Sequence, residues 1–212
     1  MPIQGNSEAP ARMWSRLQRL DRRLMERCAR ARTPALDALL IDAGRAASYS
    51  RLWLAIAGVL AITGGSRGRR AAARGVTSVA IAATIANGPI KLLVRRGRPS
   101  PSSSPTLIAM PHSNSFPSGH SASAFAFATG VCAEMPHLTP LLAPLAIAVA
   151  YSRVHTGVHH PSDAAAGAAI GILAGATSGQ LLSRALYRLY RARSCSSAST
   201  MPPSSLSGRS SA

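Results

Sequence analysis

Apolar and charged residues are strongly segregated along this chain of 212 residues. Five stretches are almost free of charge and rich in Ala, Gly, Leu, Ile and Val, at residues 52–66, 75–90, 118–133, 139–152 and 164–183. Several are shorter than the ~20 residues that span a bilayer, but tilting and polar flanks can accommodate such lengths. The pattern predicts an all-α integral membrane helical bundle of about five spans.

The N-terminal segment has an amphipathic pattern instead. Residues 11–32 carry eight arginines, while apolar residues recur every three or four positions, at Met13, Leu17, Leu20, Leu24 and Cys28. This spacing is typical of a helix lying on a membrane surface, and a solvated basic helix without lipid contact is the alternative. Because residues 33–50 contain three charges, they make a poor span. We therefore expect N-terminal interfacial amphipathic helices over 11–50 and leave the side of the N-terminus open.

The ends of the chain have another composition. Residues 194–212 are rich in Ser and Pro, and we expect them, like residues 1–10, to be disordered. Residues 51–190 then form the membrane domain. Three widely separated cysteines, Cys28, Cys132 and Cys195, indicate neither a disulfide framework nor a zinc site.

Glycines recur every four residues in the last apolar stretch, at Gly167, Gly171 and Gly175. Small residues on one helix face allow close backbone approach between membrane helices. A compositional bias towards Ala, Gly and Arg explains the same pattern equally well.

Three short blocks carry candidate chemistry. The run KLLVRRGRP at residues 91–99 begins with Lys91, the only lysine beside twenty-three arginines, and includes Arg98. The second block is PSGH at residues 117–120. The third starts with Ser152 and Arg153 and continues to His159 and Asp163. The spacing is K-x6-R-P, P-S-G-H and S-R-x5-H-x3-D, and a chance match to all three in one short chain is very improbable.

The cations and donors in these blocks suit a phosphoryl group. A phosphoryl group in transfer carries negative charge on three oxygens, so a protein has to position it and surround it with fixed donors. Arginine provides a planar fork and lysine a compact charge, while a serine hydroxyl and the amides at a helix N-terminus add further donors. The predicted phosphate-binding residues are Lys91, Arg98, Ser118, Gly119 and Arg153.

The two motif histidines divide the predicted reaction. A neutral imidazole can attack phosphorus if a neighbouring group holds its tautomer, and Asp163 lies four residues after His159. The leaving oxygen needs a proton, which His120 can supply before it activates the water. We predict His159 as nucleophile, His120 as general acid and base, and Asp163 as the orienting residue.

These blocks resemble the type 2 phosphatidic acid phosphatase (PAP2) superfamily, which shares its site with the vanadium haloperoxidases. Every motif position is matched, and the resemblance covers roughly residues 50–187. It implies a helical, metal-independent phosphatase without a cofactor, with the residue roles assigned above.

Other charged residues near the blocks have less defined roles. Arg95 and Arg96 lie inside the first block but not at its defining positions, and either a lipid headgroup contact or a surface charge is open for them. His155 and His160 flank the nucleophile, and neither has an aspartate at the offset of His159. We expect no direct catalytic role for them.

Topology follows from the number of crossings between blocks. The polar segment 99–116 does not cross, and two apolar segments between the second and third blocks leave the site face and return. Arginines before the second span and after the last then lie on one side, which the positive-inside rule makes cytoplasmic: Arg67, Arg69, Arg70, Arg74, Arg184, Arg188, Arg191 and Arg193. We expect a multi-pass plasma-membrane protein with an extracytoplasmic active site.

The net charge of +17 raises the possibility of nucleic-acid binding. The apolar spans and the absence of a recognition motif argue against it. The expected partners are a membrane and a phosphorylated lipid substrate, with the oligomeric state open. Hydrolysis of a lipid phosphate or diphosphate is favoured, and the alternatives are a phosphotransferase with an acceptor other than water and a non-catalytic scaffold that binds anionic lipid.

Overall fold

The computed structural model describes residues 8–100 and 106–198, with side chains over 12–100 and 106–183. These residues form helices and connecting turns, with no strand among them. The helices are α1 (Glu8–Arg30), α2 (Pro34–Ala46), α3 (Arg51–Thr63), α4 (Gly65–Asn87), α5 (Pro89–Leu93), α6 (Gly119–Glu134), α7 (Thr139–His155) and α8 (Pro161–Ala198). Short 3₁₀ turns cover Ser48–Ser50 and Pro136–Leu138.

Two predicted disordered segments fall partly outside the described residues. Residues 1–7 and 199–212 lie beyond them. Of the remainder, α1 begins within the predicted disordered N-terminus, and α8 continues into the predicted tail. The part of α8 from Gln180 onward belongs to a separate unit.

All five predicted apolar segments are helical, as α3, α4, α6, α7 and α8. In the described part of the chain, three helical stretches are long and apolar enough to cross a membrane: Gly65–Leu93, Pro136–His155 and Pro161–Ser183. The pair Pro34–Ala46 and Ser48–Thr63, bent by 59°, is a fourth if it counts as one span. The chain is therefore an all-α membrane bundle, with three or four spans by this measure where about five were predicted.

Helix α6 lies in the core of the bundle, and small residues allow its neighbours to approach closely. Ala122 and Ala126 are fully buried. A Cβ on Gly171 of α8 would lie 2.4 Å from the carbonyl oxygen of Ala122, and one on Gly175 would lie 2.5 Å from Cβ of Thr129. Because real Cβ atoms do not approach so closely, these glycines are required for the packing of α8 on α6. The close-packing interpretation of the glycine pattern is favoured.

Helix α2 packs against α7 through a buried polar contact. Thr33 caps it, since its Oγ1 accepts a hydrogen bond from the Leu36 amide at 3.3 Å. Asp37 Oδ1 lies 2.6 Å from Nε2 of the fully buried His155. Asp37, which makes residues 33–50 a poor span, therefore has a protein partner, and His155 does have an aspartate partner, at a position remote in sequence.

Helix α1 packs where α7 ends and α8 begins. Asp21 and Met25 are buried there, and Asp21 Oδ1 accepts a hydrogen bond from the Ser162 amide at 2.9 Å. Met13 and Leu20, on the predicted membrane-facing side, are exposed by 71% and 52%. One face of α1 therefore contacts protein, while much of its apolar face stays accessible.

Candidate active site

The first sequence block directs two cations towards one serine. After α5 the chain becomes extended, and Lys91 Nζ lies 3.2 Å from Oδ1 of Asn87 and 3.4 Å from Oγ of Ser113. Arg98 donates from Nε to the Ser113 carbonyl at 2.8 Å and from Nη1 to the Val158 carbonyl at 2.6 Å. Ser113 therefore lies between the two predicted phosphate-binding cations.

The second block forms the start of α6. Oγ of Ser118 accepts hydrogen bonds from the amide and the hydroxyl of Ser121, at 3.4 and 3.0 Å, and so caps the helix. The Ser118 amide donates to the carbonyl of Asp163 at 3.0 Å, which joins this block to the third. His120 follows on the first turn, with Nε2 3.4 Å from Oγ of Ser48.

The third block covers the end of α7 and the turn to α8. Arg153 is 5% exposed, and its Nε has no hydrogen-bond partner among the described residues. The amides of Val158 and His159 donate to the Arg153 carbonyl at 3.2 and 3.1 Å. Gly157 provides the left-handed residue of this turn, with φ of 76°. The turn therefore folds His159 back towards Arg153.

The two nitrogens of His159 face different partners. Nε2 lies 3.4 Å from Nη1 of Arg98, whereas Nδ1 lies 3.8 Å from Oδ2 of Asp163. The latter distance is longer than a hydrogen bond, and Nδ1 has no closer partner in the described part of the chain. The ring thus points Nε2 at the cations and Nδ1 at the carboxylate, which is the orientation expected for a nucleophile.

Asp163 is fully buried and makes its short contacts with other residues. Its Oδ1 accepts from Nη1 of Arg96 at 2.6 Å. Its Oδ2 accepts from the Ser115 hydroxyl and, at 2.9 Å, from the His160 amide, and lies 3.1 Å from Nδ1 of His160. The expectation for Arg96 was wrong, since its side chain is 7% exposed and paired, and His160 is closer to Asp163 than His159 is.

One cavity of about 420 Å³ brings most of the predicted site together. Ser118 and Asp163 do not line it; Ser118 caps α6 and Asp163 lies behind His159. Of the residues predicted from the sequence, its lining includes Lys91, Arg98, Gly119, His120, Arg153 and His159.

Burial and the surrounding cations act on the ring of His159. The pKa of His159 is lowered from the usual 6.5 to about 4, mainly by desolvation; contact with Asp163 opposes this shift, while Arg98 and Arg153 add to it. Burial likewise lowers the pKa of Arg98. His159 is therefore neutral at pH 7, with the Nε2 lone pair available in the tautomer that carries its proton on Nδ1.

Sequence reasoning missed six polar residues that line the cavity beside the predicted ones: Ser48, Tyr49, Ser50, Asn87, Ser113 and Ser123. Ser48 lies in the turn between α2 and α3, and Ser113 in the segment 99–116. Both regions are irregular, so no hydrophobic period marks which of their residues point inward. Asn87 ends α4 four residues before Lys91, and that helical offset was the one available signal.

Comparisons with known proteins agree with this geometry. The family model of the PAP2 superfamily matches residues 72–187, which is more than half of the chain and contains all three blocks. A search of curated proteins finds no significant match. Among solved structures, Aquifex aeolicus LpxE has a TM-score of 0.62 and 25% sequence identity, over 74% of this chain and 93% of that one.

A second solved structure is the first transmembrane PAP2-type phosphatidylglycerolphosphate phosphatase from Bacillus subtilis. Its TM-score is 0.60 at 20% identity, over 86% of this chain and 89% of that one. At this identity the likeness speaks for the fold, while the family match covers the blocks that line the cavity. This chain belongs to the PAP2 superfamily.

Proposed function

We propose that this protein is a membrane phosphatase that hydrolyses a lipid phosphate or diphosphate monoester through a phosphohistidine intermediate. The observation that carries the proposal is the shared cavity, in which cations from two blocks surround Nε2 of His159. The family membership and the membrane bundle support the same assignment.

The cations that line the cavity lack a counter-ion in the described part of the chain and can therefore bind an anion. Lys91, Arg98 and Arg153 have no carboxylate partner within ion-pair distance among the described residues, although each is at least partly buried. A desolvated cation without a counter-ion is costly, so a bound phosphate would compensate all three. In the transition state they would stabilise the charge on the equatorial oxygens.

The two histidines would carry the transfer in two steps. Nε2 of His159 forms a bond to phosphorus while the bond from phosphorus to the leaving oxygen breaks. His120, in the protonated form that the bound phosphate anion favours, gives that oxygen its proton. A water molecule then attacks the phosphohistidine, His120 accepts its proton, and the bond from phosphorus to Nε2 breaks. The products are phosphate and either the alcohol, from a monophosphate, or the lipid monophosphate, from a diphosphate, and Asp163 stabilises the imidazolium that the intermediate contains.

A lipid substrate is favoured by what surrounds the cavity. A second cavity of about 490 Å³ shares Ser48 and Arg153 with the first and is lined in part by Ile41, Leu107 and Ile108. It offers apolar contact to the substrate beyond its phosphate. The Bacillus subtilis neighbour is a phosphatidylglycerolphosphate phosphatase, and phosphatidate-type and polyprenyl diphosphate lipids are both candidate substrates here.

The proposal is tested by phosphate release from purified protein in detergent. Phosphatidate, lysophosphatidate, phosphatidylglycerophosphate, polyprenyl diphosphate and a water-soluble phosphorylated sugar are compared at pH 7. We expect release from at least one lipid and much less from the sugar. Transfer of label to an added alcohol without free phosphate would indicate the phosphotransferase instead, and no release from any lipid would contradict the proposal.

We also propose that the catalytic end faces away from the cytoplasm of a plasma membrane. Arg69, Arg70 and Arg74 lie in the first half of α4, whereas Lys91 lies in α5, just beyond the other end of α4. The positive-inside rule favours a cytoplasmic location for the first group. Helix α1, however, brings further arginines to the catalytic end.

Cysteine accessibility tests this orientation directly. In a cysteine-free background, Leu93→Cys and Arg69→Cys place one thiol at each end, since both positions are exposed. We expect a membrane-impermeant maleimide added to intact cells to label only Leu93→Cys. Labelling of Arg69→Cys alone would show that the protein has the opposite orientation in the membrane.

A further inference from the structure

A buried chain of three charges connects α1 to the active site. Arg96 donates from Nη2 to Oδ2 of Asp21 at 2.6 Å and from Nη1 to Oδ1 of Asp163 at 2.6 Å. The exposed fractions of the three side chains are 3% for Asp21, 7% for Arg96 and 0% for Asp163. One guanidinium therefore joins a carboxylate of α1 to the carboxylate behind the proposed nucleophile.

The network is satisfied by further hydrogen bonds. Ser162, the neighbour of Asp163, donates its hydroxyl to Oδ2 of Asp21 at 2.6 Å and its amide to Oδ1 at 2.9 Å. The ring of Trp14, also on α1, lies 5.2 Å from the Arg96 guanidinium carbon. Buried charges are retained at such positions only with complete pairing, and α1 provides the pairing for Arg96.

The two carboxylate oxygens of Asp163 have different partners. Arg96 occupies Oδ1, while Oδ2 faces Ser115, His160 and Nδ1 of His159. A carboxylate held at one oxygen by a fixed guanidinium cannot rotate freely. The orientation of Oδ2 towards the imidazole thus depends on Arg96.

We propose that Asp21 and Arg96 are positioning residues of the active site: Asp21 holds Arg96, and Arg96 holds the Asp163 carboxylate towards His159. Helix α1 thereby completes the site. This inference rests on the proposed phosphatase function. Neither residue lines the catalytic cavity, so they act on turnover rather than on substrate binding.

Substitutions at Asp21 and Arg96 would shift the pKa of His159 in opposite directions. Lys91, Arg98, His120 and Arg153 line the same cavity as the ring, and Asp163, with its partner His160, lies behind it. The paired charges of Asp21 and Arg96 are added to this set. Arg96→Gln removes a cation, which raises the pKa of His159. Asp21→Asn leaves that cation uncompensated, which lowers it.

The experiment measures kcat and KM against pH for Asp21→Asn, Arg96→Gln, Arg96→Lys and the double variant. We expect kcat to fall at least about tenfold in both single neutral variants, with KM changed less than about threefold. The acidic limb of the pH profile of kcat should shift to higher pH for Arg96→Gln and to lower pH for Asp21→Asn, by roughly half a pH unit or more. Arg96→Lys should keep the limb in place but lose rate, because an ammonium group cannot span both carboxylates.

Exposed residues of the same two types provide matched controls. Arg95→Gln removes a charge next to Arg96, and Asp42→Asn removes an exposed carboxylate; both should leave the rate and profile unchanged. Rates within twofold of wild type for Asp21→Asn and Arg96→Gln, or limbs that shift in the same direction, would overturn the proposal.

A turnover-independent readout separates this inference from the proposed function. The His159 resonance of ¹⁵N-histidine-labelled protein in detergent, identified by its loss in His159→Ala, reports its titration directly. Opposite shifts of that titration in the two variants, with wild-type protein inactive on every lipid, would support the electrostatic positioning and reject the phosphatase. Unchanged titration in both variants of an active enzyme would reject the positioning alone.

Discussion

Basic side chains lie near both ends of α6, but the two groups differ in whether a carboxylate is paired with them. At its C-terminal end, Glu134 pairs with Arg74 at 3.0 Å and Arg70 at 3.8 Å, and its carbonyl accepts from Arg67 at 2.7 Å. At its N-terminal end, the cations around His120 are Lys91, Arg98 and Arg153. None of them has a carboxylate within ion-pair distance among the described residues.

The difference separates structural from functional charge. Paired arginines at the Glu134 end hold α4 to α6 and leave little affinity for an added anion. Cations in a cavity without a carboxylate partner retain that affinity, because no counter-ion offsets their desolvation. The net charge of +17 therefore carries less functional information than the placement of three unpaired cations.

The largest expected effect is loss of the nucleophile. His159→Ala should lower kcat by roughly a thousandfold or more, because it removes the group that we propose forms the covalent intermediate. His137→Ala, an exposed histidine in the Pro136–Leu138 turn at the opposite end, is the control and should retain wild-type rate. Phosphate release at the wild-type rate by the His159 variant would contradict the placement of the active site at the N-terminal end of α6.

Removing one cation from each end sharpens the comparison. Arg153→Gln should lower kcat/KM by about a hundredfold or more, since it removes a buried cation that we propose binds the transferred phosphoryl group. Arg74→Gln breaks the pair with Glu134 and should change kcat/KM less than about threefold. Equal losses in steady-state assays of both variants would show that charge in general, rather than unpaired charge, supports the reaction.

Acidity tests the influence of the cations on His159. With a pKa of about 4, the ring stays neutral through most of the acid range, and kcat/KM should fall as pH drops through that value because the protonated ring has no lone pair. The loss is then about tenfold per pH unit. An acidic limb near 6.5, the ordinary value for histidine, would mean that burial and the cations have little effect on the nucleophile.

Close packing between α6 and α8 underlies the catalytic end. Gly171→Ala places a methyl group against the Ala122 carbonyl, where a Cβ would lie 2.4 Å away, and should lower stability by about 1–3 kcal/mol. Gly58→Ala in α3 meets nothing within 4 Å, so it should be neutral or slightly stabilising. Thermal unfolding in detergent measures both, and equal midpoints would contradict the close-packing interpretation.

The smallest effect is expected for the acidic residue at the opposite end. Glu134→Gln should cost about 1 kcal/mol or less of unfolding free energy, because its pairs are partly exposed. Phosphate release should stay within a factor of two of wild type. A large loss of activity with intact folding would mean that this end contributes to catalysis as well.

Much of this architecture was accessible from the order of residues. Charge-free stretches predicted the helices α3, α4, α6, α7 and α8, because the pattern of apolar residues is a local property. The spacing of the three blocks likewise predicted the cavity lining of Lys91, Arg98, Gly119, His120, Arg153 and His159. Apart from Arg98, which lies in the extended segment after α5, these residues lie at or near helix ends, where local structure restricts the direction of each side chain.

Other features depended on contacts between distant segments. The pairing of Arg96 with Asp21 joins positions 75 residues apart, and no period or motif relates them. His155 similarly pairs with Asp37 on α2. The expected lipid or surface role of Arg96 was therefore wrong for a physical reason: burial of a charge depends on which partner the fold brings to it.

The sequence by itself determined which segments are helical and which side chains are candidates for the proposed chemistry, because hydrophobic pattern and residue type act over a few neighbouring positions. Tertiary structure alone decided which charges are neutralised and which remain available. Electrostatic pairing requires two groups within a few ångströms of each other, and in this chain that proximity arises only when α1 and the start of α8 pack around Arg96.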